Sequence, residues 1–343
     1  MADITIRGAG IFGLSVAWAC AKRGARVQVV DPNGPAAGSS GGIVGALAPH
    51  VPENWNTKKA FQLDSLLMAE KFWTEVEQTG GGASGYARHG RLQPIQDDNA
   101  LVLALQRAGT AEALWQEKAL WQVVRTTASP WKPASATGWL IHDTLSALIH
   151  PRKACQALVK GLAAKGVHVA VEAPDRGHVL WATGVAGLET LNKGHHRLIG
   201  SGVKGQAALL EHNAAGQPQL FTGGVHIVPH LDGTVAVGST SESDYATATE
   251  TDDQLDTIIA CARAAVPALN DARILQRWAG IRPRSRSRAP MLGAWPDKPG
   301  HFIANGGFKI GFGMAPKVAN VMADLILEGR DEIPDGFRVE DSL

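Results

Sequence analysis

The hydrophobic positions near the amino terminus predict a strand, a helix and a second strand in close succession. Residues 4–6 are all β-branched, residues 14–23 carry apolar side chains at helical spacing, and residues 27–30 form a further apolar run that ends at Asp31. A period of two residues is typical of a strand, and a period near 3.6 of an amphipathic helix. The pattern therefore predicts a βαβ unit.

The remainder of the chain shows no internal repeat and alternates between helical and strand-like patterns. The glycine run at 80–85 predicts a flexible domain crossing, because glycine restricts the backbone least. The pattern predicts further helices and strands. The helices are expected at 58–76, within 99–119, at 151–165, at 252–266 and from about 316 to 327, and the strands around 91–95, at 167–171, at 179–184 and through 198–245.

The turn between the first strand and its helix carries a glycine pattern that is typical of dinucleotide binding. Gly8 allows the tight turn, Gly10 lets the backbone approach a pyrophosphate, and Gly13 lets the helix pack on the strand. The helix start offers free N–H groups to phosphate. Asp31 follows at the distance where a carboxylate binds ribose hydroxyls. With both strands and the helix present, this fingerprint is specific.

Composition and charge narrow the class of protein. The 343 residues suffice for two domains, and 45% hydrophobic with 19% charged residues is ordinary for a globular protein. The net charge of +1 disfavours a nucleic acid as the main partner. Three scattered cysteines and the absence of an apolar run of membrane length lead us to expect a cytoplasmic protein without disulfides or a membrane span. Because the nucleotide unit starts early, we expect no signal peptide, and no motif predicts a metal site.

Four segments from end to end of the chain share their order and spacing with a known family. They are the turn at 8–13, the small-residue loop at 37–49, the Lys204-Gly205-Gln206 segment with the strands after it, and the glycine-rich stretch at 278–316. In these segments the chain resembles the D-amino-acid oxidase superfamily of FAD enzymes, within it the glycine oxidase and sarcosine oxidase branch. The small residues suit a backbone that lies against a flavin ring.

The resemblance implies an α/β fold with interleaved domains. An FAD-binding Rossmann-type domain takes residues 1–80, 145–195 and 275–343, and a mixed-sheet α+β substrate-binding domain takes 81–144 and 196–274. FAD is expected to be bound non-covalently, because the three cysteines are remote from the last segment. The residues that the resemblance assigns to the cofactor come from all these FAD-binding segments. They are Gly8, Gly10, Ile11, Phe12, Gly13, Asp31, Ser39, Ser40, Gly45, Val169, Gly184, Gly306, Gly307, Phe308, Lys309, Ile310 and Gly311.

Arg282 is the residue that the resemblance assigns to substrate binding. The arginine of the family's G-x-R-P motif pairs with the substrate carboxylate, and Gly280-Ile281-Arg282-Pro283 reproduces that motif. Where the family often continues to an aspartate, this chain has three further arginines. The alternatives are a solvated basic run, a loop that packs differently, or a substrate with more negative charge than glycine; the added residues are Arg284, Arg286 and Arg288.

Three further side chains are candidates near the flavin. His226 takes the place where relatives often have a tyrosine that faces the substrate. The alternatives are that it hydrogen-bonds the substrate or titrates near neutrality, or that it lies on the opposite face of its strand. His50, at the end of the small-residue loop, has the same two interpretations. Lys309 matches a basic residue of the family, and we expect its backbone rather than its ammonium group to serve the cofactor.

The function implied is FAD-dependent oxidation of the C–N bond of a small amino acid or N-substituted glycine to an imine, by hydride transfer to the flavin. The partners expected are a small carboxylate substrate and either oxygen or a quinone as electron acceptor. The alternatives are an oxidase of carboxymethylaminomethyl-uridine in tRNA, a 2-hydroxy-acid oxidase, and a non-catalytic FAD scaffold. The small-residue loop is close to that of the tRNA enzyme, whereas the near-zero charge disfavours it.

Overall fold

The computed structural model describes residues 3–127 and 129–343 and contains two large sheets and one small one. The six-stranded sheet is parallel except at one edge, where β15 pairs antiparallel with β16. Its strands, in spatial order, are β15 (Met291–Ala294), β16 (His301–Asn305), β9 (His178–Trp181), β1 (Asp3–Arg7), β2 (Arg26–Val30) and β8 (Val169–Ala170).

The eight-stranded sheet is antiparallel except between β11 and β4. Its strands, in spatial order, are β14 (Ile274–Ser285), β10 (Gly200–Glu211), β13 (Thr234–Gly238), β12 (Val225–Pro229), β11 (Gln219–Thr222), β4 (Arg91–Pro94), β6 (Trp139–Asp143) and β5 (Trp121–Arg125). The small sheet pairs β3 (Ala46–Leu47) with β7 (Ala147–Leu148).

Seven helices surround the sheets in the described part of the chain. They are α1 (Ile11–Lys22), α2 (Thr57–Gly80), α3 (Asp98–Trp115), α4 (Pro151–Ala164), α5 (Gly184–Asn192), α6 (Asp253–Ala265) and α7 (Gly311–Glu328). Helices α1 and α2 each pack against α4 and α7. Residues 11–20 of α1 are all buried, so this helix is covered on every side and is not the amphipathic helix that the sequence predicts.

Two elements and one helix start differ from the prediction at functionally relevant places. Strand β14 and helix α5 were not predicted. Helix α7 begins at Gly311, five positions before Pro316, which lies buried inside the helix. A rule that places proline in the first helical turn therefore sets the start too late.

Several positions of the glycine run at 80–85 are packed, whereas Gly81 and Ala83 are exposed. A Cβ atom at Gly80 would lie 2.4 Å from the backbone nitrogen of Gly161 in α4. Ser84 is fully buried, and its backbone and hydroxyl groups both donate to Glu77. The glycines here allow α2 and α4 to approach closely.

The proposed domain division remains a prediction, and strand β14 does not fit its boundary at residue 275. The division assigns residues 275–343 to the FAD-binding domain, yet β14 hydrogen-bonds along its whole length with β10 of the eight-stranded sheet. Strands β15 and β16 and helix α7 do join the six-stranded sheet and its helices. No helix within residues 3–127 or 129–343 is long and apolar enough to cross a membrane.

Candidate functional site

A cavity of about 1300 Å³ lies between the six-stranded sheet and β14. The carboxyl ends of β1, β9 and β16 form one wall, together with the turn before α7. Residues 277–283 of β14 and the loop at 37–47 form the other. Ligands of parallel α/β sheets bind at the carboxyl ends of the strands, so the fold itself marks this cavity as the candidate site.

Glycines hold the backbone of the βαβ turn close together at one end of the cavity. A Cβ atom at Gly8 would lie 2.3 Å from the carbonyl oxygen of Ala182, and Gly8 has a φ of +105° that disfavours other residues. A Cβ at Gly13 would lie 1.9 Å from the Gly8 carbonyl oxygen. The turn therefore leaves the start of α1 open to the cavity, which fits a pyrophosphate.

The polar groups at this end are arranged for phosphate and ribose. The Ser40 hydroxyl accepts a hydrogen bond of 2.9 Å from Ile11 N, which leaves its own hydrogen free to donate. The Asp31 carboxylate accepts from Ala9 N at 2.7 Å and from Asn33 N at 2.9 Å, and it lines the cavity. Each carboxylate oxygen can accept a second bond from a ribose hydroxyl.

Most of the residues assigned to the cofactor from the sequence meet at this cavity. Those that line it are Gly8, Gly10, Ile11, Phe12, Asp31, Ser39, Ser40, Gly45, Gly184, Gly307, Phe308, Lys309 and Gly311.

Four of the assigned residues do not line the cavity. Gly13 packs behind the turn, and Val169 pairs with Val29 inside the six-stranded sheet. Gly306 lies against Ser285, where a Cβ atom would be 2.8 Å from the serine Cβ. Ile310 precedes the first residue of α7 and packs on the core. These four residues lie outside the cavity lining.

Arg282 lies on the β14 face of the cavity and is 8% exposed. Its Nη2 donates to the carbonyl oxygen of Thr240 at 2.7 Å, and its Nε is buried without a hydrogen-bond partner. No ion pair involves it in the described part of the chain. Burial lowers the pKa of the guanidinium to about 10, and the nearby Glu242 carboxylate opposes that shift. A buried, unpaired guanidinium is unfavourable on its own, so this group is available for an anion.

Gly205 makes room for that guanidinium. A Cβ atom at position 205 would lie 1.4 Å from Arg282 Nη2, because the arginine side chain crosses over β10 at this point. The glycine of the Lys204-Gly205-Gln206 segment is therefore explained by the position of Arg282.

A buried polar network supports Thr240, the hydrogen-bond acceptor of Arg282. The Thr240 hydroxyl donates to Glu242, and Gln206 Nε2 donates to the same carboxylate at 3.0 Å. Lys204 Nζ lies 3.6 Å from Glu242 and is 3% exposed at its side chain. Gln206 also bonds Asp252, the N-cap residue of α6. The network connects β10 and α6 to the residue that binds Arg282.

The two candidate histidines have different surroundings. His226 lines the cavity, its ring lies 4.6 Å from that of Phe221, and burial with Arg91 and Lys309 lowers its pKa to about 3. The expected titration near neutrality is therefore wrong, and the imidazole is neutral. His50 does not line the cavity, because its backbone N–H and ring both bond Gln62 of α2.

Trp278 and Phe221 also line the cavity and were not selected from the sequence. The Trp278 ring lies over Gly42 and Gly280, where Cβ atoms would be 3.3 Å and 2.5 Å from it. Trp278 and Arg282 are four residues apart on one strand, so they share a face. Recognition of β14 as a strand would have identified Trp278.

The arginines that follow Arg282 do not act as one cluster. Arg284 lies with its guanidinium 5.7 Å from the centre of the Phe308 ring. Arg286 donates to the carbonyl oxygen of Leu343, and Arg288 is exposed at a turn with a φ of 59°. Only Arg284 points toward the neighbourhood of the cavity.

No cysteine lines the large cavity, and no group of three potential metal ligands occurs within residues 3–127 and 129–343. Burial raises the pKa of the Cys20 and Cys155 thiols to about 12, which keeps both protonated. These thiols are buried, unreactive groups.

The sequence matches the family described as "FAD dependent oxidoreductase" over residues 3–325. It is 27% identical to a glycine oxidase of Pseudomonas aeruginosa, over 97% of this chain and 96% of the relative. It is 26% identical to a bifunctional protein ThiO/ThiG of Nostoc sp., over 96% of this chain, and spans 53% of that longer protein.

Solved structures share the architecture at lower identity. Glycine oxidase from Geobacillus kaustophilus has a TM-score of 0.85 at 18% identity, with 99% of both chains covered. Iminodiacetate oxidase from Chelativorans sp. has a TM-score of 0.83 at 20% identity, with 98% of both chains covered. At this identity the likeness establishes the fold.

Proposed function

The chain belongs to the family of FAD-dependent oxidoreductases, and from this premise we propose that it oxidises the C–N bond of a small amino acid or N-substituted glycine to an imine. The membership confirms the resemblance found in the sequence, the α/β fold class and FAD as the cofactor. Relatives and structural neighbours named glycine oxidase and iminodiacetate oxidase support amine oxidation as the reaction.

The surroundings of Arg282 are the observation on which the proposal rests. Its guanidinium is buried at the cavity wall, has one hydrogen bond to a carbonyl oxygen, and has no carboxylate partner in the described chain. A substrate carboxylate would supply the missing charge and up to two further acceptors. The substrate is then held at a fixed distance from the flavin, which raises the rate by orientation.

The ionisable side chains that line the cavity favour a substrate whose amine is neutral when it reacts. Among the described residues that line the cavity, Asp31 has the only acidic side chain, and it lies at the nucleotide end. His226 is neutral and lines the cavity, and a neutral imidazole has one ring nitrogen that can accept a hydrogen bond from the substrate amine. Bound FAD would supply the hydride acceptor for the substrate α-carbon, and the imine product would be released to hydrolyse in water.

An anaerobic screen for bleaching of bound FAD tests this function. Amino acids, N-alkyl glycines, 2-hydroxy acids and tRNA with a carboxymethylaminomethyl-uridine are compared, and we expect only small amines with a carboxylate to bleach the flavin. Bleaching by 2-hydroxy acids alone would assign the alternative oxidase activity. Bleaching only by tRNA with a carboxymethylaminomethyl-uridine would assign the macromolecular one. Reoxidation by oxygen or by a quinone then identifies the acceptor.

Arg282→Leu tests the residue that carries the proposal. Loss of a bidentate, partly buried charge pair should lower kcat/KM by about two to four decades, on the order of 3–5 kcal/mol, with FAD content unchanged. Arg282→Lys should restore only part of the loss, because an ammonium group cannot reproduce the guanidinium fork. Full activity of Arg282→Leu on every carboxylate substrate would contradict the mechanism.

A further inference from the structure

The cavity carries more positive charge than one substrate carboxylate requires. Four basic side chains line it, and two of them are neutralised by ion pairs. Arg7 pairs with Asp175 at 2.7 Å, and Arg277 pairs with Asp256. Arg282 and Lys309 have no ion pair within the described residues. The Glu242 carboxylate acts on Arg282 from a distance and is itself bound to Lys204.

The two unpaired charges lie around one aromatic ring. The Arg282 guanidinium is 5.8 Å and the Lys309 ammonium 5.7 Å from the centre of the Phe308 ring. Arg284, on the same face of β14 as Arg282, adds a third charge at 5.7 Å. Cation–π contacts of this length offset only a small part of the repulsion among three cations.

The backbone at Phe308 keeps this arrangement in place. Phe308 has a φ of 44°, which is unfavourable for an aromatic residue, and its N–H donates to the carbonyl oxygen of Pro283 in β14 at 3.0 Å. The bond fixes the turn that carries Lys309 against the strand that carries Arg282. Lys309 is thus held at the substrate end of the cavity, where its charge also lowers the pKa of His226.

We propose that the substrate carries a second carboxylate, which is bound by Lys309 while Arg282 binds the carboxylate next to the reacting carbon. The proposal rests on the proposed amine oxidation and narrows its substrate class to dicarboxylic amines, such as glycines with an acidic N-substituent. The α7 start at Gly311, with its free N–H groups, lies at the same cavity and is the group available for negative charge on the flavin. Lys309 is therefore free to bind substrate.

Matched compounds that differ by one carboxylate test the proposal. N-carboxymethylglycine and N-methylglycine serve as substrates in anaerobic flavin reduction. Succinate and butyrate serve as non-oxidised ligands, whose dissociation constants follow from changes in the flavin absorption band. We expect the dicarboxylate of each pair to be preferred by about ten-fold or more, the size of one charge-assisted hydrogen bond in a partly desolvated site.

Lys309→Met tests the residue, with the exposed Lys118→Met as the matched control. The dicarboxylate preference should fall about ten-fold in Lys309→Met and stay unchanged in Lys118→Met. Equal losses for both members of a pair would overturn the proposal, as would a wild-type protein without a preference. The dissociation constants of succinate and butyrate test the second carboxylate site even if no amine reduces the flavin. Failure of every amine to reduce the flavin would contradict the proposed oxidation alone.

Discussion

Gly205→Ala is the perturbation that tests most directly how the substrate arginine is held. The added Cβ would lie 1.4 Å from Arg282 Nη2 and 2.3 Å from Cζ, so the guanidinium must leave its place on β10. It then loses its bond to the carbonyl oxygen of Thr240, and a hydrogen bond of a charged group contributes about 1.5–3 kcal/mol. We expect kcat/KM for carboxylate substrates to fall between about ten-fold and about a hundred-fold.

The assay is the rate of anaerobic flavin reduction at limiting substrate, measured beside FAD content and the midpoint of thermal unfolding. Gly109→Ala is the matched control, because Gly109 lies in exposed α3 with nothing within 4 Å of an added Cβ. In an Arg282→Leu background, Gly205→Ala should add little, since the two changes remove one interaction. Wild-type kinetics in Gly205→Ala, or an equal further loss in the leucine background, would refute the reasoning.

Three further outcomes are expected. Acid precipitation should release FAD into the supernatant, and colour retained in the pellet would contradict non-covalent binding. Gly10→Val should give colourless protein, because a Cβ there already lies 3.1 Å from Ser40 Oγ and its methyl groups would enter the phosphate site; a yellow variant with normal FAD content would exclude this. Burial and the neighbouring His230 lower the pKa of His150 to about 4. Between about pH 6.5 and 4, His150 therefore binds a proton in the unfolded chain but not in the folded one. The free energy of unfolding should decrease as the pH is lowered through this range, by up to about 1.4 kcal/mol per pH unit. Denaturant midpoints measure this decrease, which should be smaller in His150→Gln.

The βαβ unit was predictable because its constraints are local. Gly8 has the positive φ that the turn requires, Gly13 approaches Gly8 within the same turn, and the two strands are short runs rich in β-branched residues that pair in parallel. Strand β14 was not predictable in this way. This strand lines the large cavity, so Arg282 and Trp278 stand where a core strand has apolar residues. Its Pro283 reads as a strand breaker, yet β14 is the edge of its sheet, where proline is tolerated.

The candidate site depends on pairings that the sequence records only as separate motifs. Gly205 and Arg282 meet because β10 and β14 pair in the register Val203↔Arg282 and Gly205↔Gly280. A one-residue slip would turn every side chain of β14 to the other face and remove the arginine from the cavity. The Arg282 guanidinium occupies the place that a Cβ atom at position 205 would take, so the position of Arg282 explains the glycine and the glycine permits that position. The same holds for charge. Asp175 and Asp256, which pair with Arg7 and Arg277, are distant from them in sequence, and only the fold reveals that Arg282 and Lys309 have no acidic partner among the described residues.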